Sequence, residues 1–150
     1  MRYIPLPVLF AATFAIVAML PDPPHAAPFP SRSDPEQAHF ARCLGGSRFT
    51  CVVDGDTIWY RGTKIRIADI NAPELSKPQC PEEARLAEAA TERLAGLLNQ
   101  GPFTLAPTDR EVDRYGRTLR VVTRGGESLG ATLTGEGLAE PCRGYRRDWC

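Results

Sequence analysis

Three short runs of strand-forming residues follow one another in the chain, and only tight turns separate them. The runs are residues 49–53, 57–61 and 64–69, each rich in β-branched or aromatic side chains. An Asp-Gly-Asp turn at 54–56 separates the first two, and Gly-Thr at 62–63 separates the second pair. Asp-Gly between β-branched residues is a strong hairpin signal. The sequence therefore predicts a compact antiparallel meander.

The two aspartates of the first turn allow two interpretations. In one, Asp54 and Asp56 only accept hydrogen bonds within the turn, which is a common role of aspartate at such a position. In the other, their carboxylates project from a rigid hairpin toward a hard divalent cation, which prefers oxygen ligands. The turn alone favours the first interpretation, and residues farther along the chain reverse this preference.

Two helices and two more strands are expected after the meander. Pro81 suits the first position of a helix, and apolar residues recur at helical spacing as far as Leu98. Asn-Gln-Gly-Pro at 99–102 ends this helix, and Ser128 caps a short second helix that ends near Gly137. The remaining segments are predicted to be a proline-rich loop at 70–81 and strands at 103–105 and 119–123.

These elements predict an α+β fold that is mainly β. The best match is a five-stranded OB-fold barrel with one inserted helix and a short second helix. In such a barrel the Asp-Gly-Asp turn would lie on the rim, at the mouth of a groove. The fold alone does not assign a function.

The N-terminus has the layout of a secretory signal peptide. Arg2 precedes an apolar stretch at 6–20, which is shorter than a full membrane span and is followed by prolines and small residues. We expect residues 1–27 to be a signal peptide, with an uncleaved N-terminal anchor as the alternative. Residues 28–47, rich in proline and polar side chains, are expected to form a flexible leader to the domain at 48–150.

Cysteine usage agrees with export to the periplasm or the medium. An oxidising compartment would let the cysteines pair, although their odd number leaves one free or bonded to another chain. The sequence leaves the pairing open. A zinc site is not expected, because the chain has no C-x-x-C pair and His39 is the only histidine beyond residue 27. The five cysteines are Cys43, Cys51, Cys80, Cys142 and Cys150.

Specific chemistry has to be sought in local groups of residues. The chain has 18 basic and 18 acidic residues, and this zero net charge argues against a protein that coats nucleic acid through bulk electrostatics. Phosphodiester hydrolysis needs a cation, a group that activates water, and cationic donors for the phosphate oxygens. Three stretches offer candidates for these needs: 54–57 (DGDT), 65–74 (IRIADINAPE) and 113–117 (DRYGR).

Each stretch also has a purely structural interpretation. Arg66 could form a surface ion pair, which contributes little to stability. Asn71 could shape a turn by bonding to its own backbone. Residues 115–117 could belong only to a hairpin. Taken one at a time, these interpretations are as good as the catalytic ones.

Together, the three motifs resemble the thermonuclease family, whose founding member is staphylococcal nuclease. V-V-D-G-D-T, I-R-I-A-D-I-N-A-P-E and D-R-Y-G-R occur in the family's order and with about its spacing. The resemblance covers residues 51–139 and includes 126–139 (GESLGATLTGEGLA), which is similar to the family's second helix and closing Gly-Leu-Ala. It implies an OB-fold enzyme that hydrolyses DNA or RNA with calcium as its cofactor, leaving 3′-phosphate ends.

The resemblance also implies a metal site. Asp56 corresponds to the calcium-binding carboxylate of the first hairpin, and Ala72 stands where the family contributes a main-chain carbonyl. Asn71 is a departure, because the family usually has a second aspartate at this position. An amide oxygen can bind calcium, but the loss of one negative charge is expected to weaken the binding.

The catalytic and substrate-binding residues follow from the same motifs. Glu74 matches the residue that orients or deprotonates the attacking water, and Arg66 and Arg117 match the pair that clamps the phosphate. Tyr115 lies where the family contacts a base or phosphate. The family's C-terminal tyrosines and third helix are missing, and we expect Tyr145 to take over one of these substrate contacts.

A second function from another class remains open on the sequence. The same barrel could be a catalytically impaired module that binds nucleic acid or protein. Degenerate members of such a fold would be expected to lose Glu74 or the two arginines first, and this chain keeps all three. The nuclease, acting as a monomer outside the cytoplasm and without stable membrane insertion unless its leader is uncleaved, is therefore the function that the sequence favours.

Overall fold

The structure, a computed structural model, describes residues 33–46, 48–145 and 147–150. The predicted signal peptide at 1–27 lies outside the described residues. Two helices, α1 (Pro81–Asn99) and α2 (Leu129–Gly135), accompany the strands. The strands are β1 (Ala41–Arg42), β2 (Cys51–Asp54), β3 (Thr57–Tyr60), β4 (Thr63–Ile67), β5 (Ile70–Asn71), β6 (Thr104–Val112), β7 (Thr118–Arg124), β8 (Glu127–Ser128) and β9 (Glu140–Pro141).

The five longest strands form one curved sheet in the order β2-β3-β4-β7-β6, with β1 beside β2 and β8 beside β7. β2, β3 and β4 are the antiparallel meander, and β4 then pairs in parallel with β7, so that Arg66 lies opposite Leu119. This confirms the predicted α+β architecture, mainly β, with a helix inserted between the third and fourth long strands. The parallel β4–β7 pair brings the second and third sequence motifs side by side.

The helix boundaries follow the predicted signals closely. α1 begins at Pro81 and ends at Asn99, and α2 follows its N-cap Ser128, whose side chain accepts a hydrogen bond from the N–H of Ala131. The strands differ more from the prediction. β6 runs seven residues beyond Leu105, to Val112, and the two-residue strands β1, β5, β8 and β9 were not expected, because two residues carry no periodic pattern.

The described part of the predicted leader packs against the barrel. Phe40 is 1% exposed, and its ring lies 5.9 Å from the rings of both Tyr60 and Phe103. Its main-chain N–H and C=O both bond to the side-chain amide of Asn99, at 2.8 Å each. The phenol of Tyr60 donates to Glu36 at 2.7 Å. Residues 36–40 therefore close one side of the hydrophobic core.

Two disulfides secure the ends of the domain. Cys43–Cys51 joins the leader to β2, and Cys80–Cys150 joins the start of α1 to the C-terminus across a sequence separation of 70. A loop of that length corresponds to roughly 4 kcal/mol of stabilisation in the chain-entropy treatment. Among the described residues, Cys142 is the cysteine outside a disulfide. None of the helices described here is both long and apolar enough to span a membrane.

The glycine of the Asp-Gly-Asp turn lets three elements meet. A Cβ atom on Gly55 would lie 2.7 Å from the Cβ atoms of both Ala72 and Ala90. Ala90 is on α1, and Ala72 directly follows β5, so the first hairpin touches the helix and the loop at this point. Gly55 is therefore required by close approach, because any larger side chain would push the turn away from both neighbours.

We expect Gly55→Ala to lower the free energy of unfolding by about 1–3 kcal/mol, the usual cost of overpacking. Gly96→Ala is the matched control, because a Cβ there meets nothing within 4 Å and the site is inside α1. It should be neutral or raise stability by up to about 1 kcal/mol, because alanine has the higher helix propensity. Urea unfolding of both variants measures the difference, and equal effects would contradict this role of Gly55.

Candidate active site

Asp56 holds the first hairpin, β4 and the following loop together. Asp56 is buried, with 3% of the residue exposed, and its Oδ2 accepts a hydrogen bond from the N–H of Ala72 at 2.9 Å. Oδ2 also pairs with the guanidinium of Arg66 at 3.1 Å, and Oδ1 accepts from the hydroxyl of Thr57 at 2.9 Å. The main-chain oxygen of Asp56 accepts from Ile67. Asp56 thus fixes where the first two sequence motifs meet.

Arg66 is a buried arginine whose hydrogen bonds set its direction. It lies on β4 and is 7% exposed. Nη1 donates to the main-chain oxygens of Ile67 and Ile70, and Nη2 donates to Oδ1 of Asn71 at 2.8 Å. The surface ion pair considered in the sequence analysis is not what the structure has, because the salt bridge to Asp56 is buried on both sides.

Two oxygen atoms converge on one point beside Arg66. Oδ2 of Asp56 and Oδ1 of Asn71 lie 3.1 and 2.8 Å from the same guanidinium nitrogen. Ala72, whose N–H is bonded to Asp56, is 3% exposed and adjoins them. The three residues predicted as metal ligands therefore lie together, with a guanidinium beside the two side-chain oxygens.

Asp54 is more than a turn residue. Its Oδ1 accepts from the N–H of Asp56 at 3.1 Å, which is the turn bond expected of it. Burial, together with the negative charge of Asp56, raises the pKa of Asp54 to about 7. A substantial fraction of Asp54 is therefore protonated at neutral pH.

The oxygen atoms beside Arg66 determine which kind of metal ion these residues could hold. No group of three or more His, Cys, Asp or Glu side chains in the described ranges is arranged to hold a metal. The donors present are carboxylate, amide and carbonyl oxygens, which suit a hard cation such as calcium. The residues fit a calcium ion that takes its remaining ligands from water and substrate.

Glu74 lies in a loop that a second glutamate holds. The N–H of Glu74 donates to Oε1 of Glu83 at 3.1 Å, and the N–H of Gln79 donates to Oε2 at 2.6 Å. Glu83 is on the first turn of α1 and is 4% exposed. The carboxylate of Glu74 accepts from the hydroxyl of Ser76 at 2.9 Å. Glu83 therefore ties both ends of the 74–79 loop to the helix.

Arg117 is aimed by an aspartate in its own turn. Nε of Arg117 donates to Oδ2 of Asp113 at 2.6 Å, and its N–H donates to Oδ1 at 2.9 Å. Burial acts to raise the pKa of Asp113, but the hydrogen bonds from Arg117 and Tyr115 outweigh it and hold that pKa below its usual value. The ring of Tyr115 lies 5.5 Å from the guanidinium of Arg117 and 4.7 Å from that of Arg114.

Most of the predicted site residues line two depressions that overlap. The smaller, of about 730 Å³, contains all three predicted catalytic residues, Arg66, Glu74 and Arg117. The larger, of about 810 Å³, contains Tyr145. Asp56 and Ala72 line neither and lie behind the surface. The residues common to both depressions are Arg66, Asn71, Arg114, Tyr115 and Arg117.

Sequence reasoning missed two residues that orient the others. The sequence does not single out Glu83, and it shows Asp113 only as the first residue of the motif at 113–117. The available signal for Asp113 was its i, i+4 spacing from Arg117, which suits an ion pair across a tight turn. Nothing in the sequence indicates that Glu83 and not Glu82 turns toward the loop.

The raised pKa of Asp54 predicts a pH dependence of stability. The ordinary aspartate pKa is about 4 and the folded value is about 7. Between these values the folded state binds more protons than the unfolded state, so stability should fall as the pH rises from about 4 to about 7. In Asp54→Asn this part of the slope should vanish. Denaturant unfolding in the presence of a chelator checks this, and identical slopes in the two proteins would contradict it.

The role of Glu83 predicts a local effect on the catalytic loop. In Glu83→Gln one main-chain N–H would face an amide NH₂ group, so that donor would lose its partner and the loop one of its two bonds to α1. Amide hydrogen exchange of Glu74 and Gln79 should accelerate at least about tenfold. The control is Glu82→Gln, because Glu82 is exposed and pairs with Arg85, which is also exposed. Unchanged protection of both amides would refute this role.

Comparison with known proteins agrees with this geometry. Residues 64–148 match the family model described as staphylococcal nuclease homologue. The chain is 37% identical over 92 residues to a thermonuclease from Staphylococcus hyicus, covering 59% of this chain and 54% of that protein. It is 35% identical over 107 residues to a micrococcal nuclease from Shigella flexneri, covering 63% and 56%. It is 39% identical over 93 residues to the endonuclease YncB of Bacillus subtilis, covering 58% and 43%.

The chain therefore spans about half the length of the curated relatives that it matches. The family model alone covers more than half of the chain and includes β4, the 74–79 loop, α1, β6 and β7. These elements contain the two arginines and the glutamate that line the smaller depression. On this evidence the chain belongs to the family of staphylococcal nuclease homologues.

Proposed function

We propose that this protein is a calcium-dependent nuclease that hydrolyses phosphodiester bonds of DNA or RNA outside the cytoplasm. The observation that carries the proposal is the meeting of Arg66, Glu74 and Arg117 in one open depression of about 730 Å³. These residues come from β4, from the loop after β5 and from the turn before β7. A structural role for any one of them would not require the three to face the same space.

The two guanidinium groups are suited to hold a phosphate. Arginine offers a planar fork of donors that matches phosphate geometry. The direction of Arg66 is set by main-chain oxygens, and that of Arg117 by Asp113. Groups that are already oriented lose little entropy on binding, so they can stabilise the charge that develops on the phosphate oxygens during hydrolysis.

Glu74 is the residue proposed to act on water. Its loop is fixed to α1 through Glu83, and its carboxylate accepts a hydrogen bond from Ser76. A carboxylate held beside two arginines can orient a water molecule and accept its proton as the oxygen attacks phosphorus. The attack breaks the bond between phosphorus and the 5′ oxygen, and the leaving oxygen takes a proton from solvent water. The products are a 5′-hydroxyl and a 3′-phosphate.

Asp56, Asn71 and the main-chain carbonyl of Ala72 are the proposed calcium ligands. When bound, calcium would neutralise phosphate charge and bring a phosphate oxygen toward the arginines. Because Arg66 now donates to both side-chain oxygens, binding requires its Nη2 group to exchange these partners for a phosphate oxygen. The amide of Asn71 gives the site one negative charge fewer than a carboxylate would, which favours a weak site.

Tyr115 and Tyr145 are proposed to contact the nucleic acid. Both rings line the larger depression, and these residues are 67% and 64% exposed. Exposed rings beside arginines form surfaces on which bases stack without strong sequence preference. This arrangement supports a nuclease with broad substrate range, which we propose acts as a monomer. Export is supported by the two disulfides, which are typical of oxidising compartments.

The decisive assay is release of acid-soluble nucleotide from single-stranded DNA and from RNA, with calcium added or chelated. We expect calcium-dependent release, and its loss in Glu74→Gln, which keeps the shape but not the proton acceptor. Arg117→Ala should lower turnover by roughly a thousandfold or more, as for other arginines that stabilise phosphoryl transfer. The matched control is Arg93→Ala, which removes an ion pair with Glu136 distant in sequence from these motifs.

A loss below tenfold in Arg117→Ala would show that its role is misassigned. No release from a folded and fully oxidised protein at any calcium concentration would favour the alternative, a barrel that binds nucleic acid or protein without cleaving it.

A further inference from the structure

The last residues of the chain form a tail that is attached at both ends. We use the name C-terminal tail for residues 142–145 and 147–150. At its start, β9 pairs with β5, and the N–H of Cys142 donates to the main-chain oxygen of Asp69 at 2.8 Å. At its end, Cys150 is bonded to Cys80. Trp149, next to that disulfide, is only 7% exposed, so the end of the tail is packed as well as bonded.

Asn71 joins the middle of the tail to the active site. Its Oδ1 accepts from Arg66, and its Nδ2 donates to the main-chain oxygen of Tyr145 at 3.2 Å. A carboxylate at position 71 could not make the second bond, because it has no hydrogen to donate. The amide that weakens the proposed calcium site is therefore the group that attaches the tail beside it.

The tail forms part of the larger depression. Cys142, Gly144 and Tyr145 line it together with Arg110 and Tyr115 from the β6–β7 hairpin. None of the tail residues lines the smaller depression, where the proposed catalytic residues meet. The tail therefore belongs to the part of the groove that extends away from the reacting phosphate.

The disulfide connects this part of the groove to the catalytic loop. Cys80 is the N-cap of α1, and its sulfur accepts a hydrogen bond from the N–H of Glu83. Glu83 in turn holds the N–H groups of Glu74 and Gln79. The disulfide thus fixes the end of the tail to the same helix end that positions Glu74.

We propose that the C-terminal tail is a substrate-binding wall for polynucleotide, and that the Cys80–Cys150 disulfide is required to keep it in place. The proposal rests on the nuclease function above and adds a condition to it. With this bond absent, the tail loses its covalent link to α1 and keeps its β9 end, the bond from Asn71, the bond from the N–H of Arg147 to Glu140 and the packing of Trp149. A long substrate should then lose its contacts beyond the cleaved bond, whereas the groups that act on the phosphate should remain in position.

The test compares two disulfides in the full-length protein. The parent is Cys142→Ser, so that no free thiol can exchange with the bonded pairs. Cys80→Ser/Cys150→Ser in this background removes the tail disulfide, and the hydroxyl that Cys80→Ser introduces can still accept the hydrogen bond from the N–H of Glu83 at the start of α1. Cys43→Ser/Cys51→Ser is the matched control, because it also removes one disulfide and neither cysteine lines a depression. All proteins are assayed well below their unfolding midpoints.

For a single-stranded oligonucleotide of about 20 residues, KM should rise roughly tenfold or more in the tail variant, the scale of one lost stacking contact. kcat for this substrate should stay within about twofold, and KM for a dinucleotide should be unchanged. The control variant should match the parent with both substrates. This split separates a positioning role from general loss of stability, which would lower activity on both.

A second readout follows the tail without any catalysis. In a Trp59→Phe background, acrylamide quenching of the remaining fluorescence reports the exposure of Trp149. We expect stronger quenching in the tail variant than in the control. An unchanged quenching constant, or increased quenching with unchanged KM for the long substrate, would overturn the proposal.

Failure of the nuclease function would look different. If the parent releases no nucleotide from any substrate, that function is wrong, and the tail is then tested by fluorescence anisotropy of a labelled oligonucleotide. A Kd at least about tenfold higher in the tail variant than in the control would support the wall, on the same stacking scale. Equal Kd values would overturn it.

Discussion

One buried carboxylate organises this domain. Asp56 accepts hydrogen bonds from the hydroxyl of Thr57 and the N–H of Ala72, and it pairs with the buried guanidinium of Arg66. A buried charge without such partners would be strongly unfavourable, so the hairpin, β4 and the loop after β5 have to meet where they do. The close approach at Gly55 adds α1 to the same point.

The chemistry of the site follows from this arrangement. Each side chain that we propose to be catalytic is held by another group: Arg66 by main-chain oxygens, Arg117 by Asp113, and the loop of Glu74 by Glu83. These side chains are therefore oriented before substrate arrives, except that Nη2 of Arg66 has to exchange its partners. Such orientation is the condition for electrostatic stabilisation of a transition state. In the proposed complex, a cation would take the place of Arg66 beside Asp56, and Arg66 would donate to the phosphate instead.

Much of this could be predicted from the sequence, for identifiable reasons. Turn residues and caps act locally, so the meander, the start of α1 at Pro81 and the cap at Ser128 could be read directly. Interactions between distant residues could not. Phe40 is a single aromatic residue in a polar segment, and its partner Asn99 is 59 positions away. The pairing of Cys80 with Cys150 and the turn of Glu83 toward the loop are likewise properties of the folded chain.

We propose that Asp56 and Asn71 bind a calcium ion. Arg66 and Arg117 would bind a phosphate next to it. A crystal structure of the Glu74→Gln variant with calcium and a short single-stranded oligonucleotide tests this directly. We expect calcium at about 2.3–2.6 Å from oxygens of Asp56 and Asn71, with one phosphate contacting the guanidinium groups of both Arg66 and Arg117. A phosphate bound elsewhere, or Arg66 still paired with Asp56 and Asn71 at saturating calcium, would contradict it.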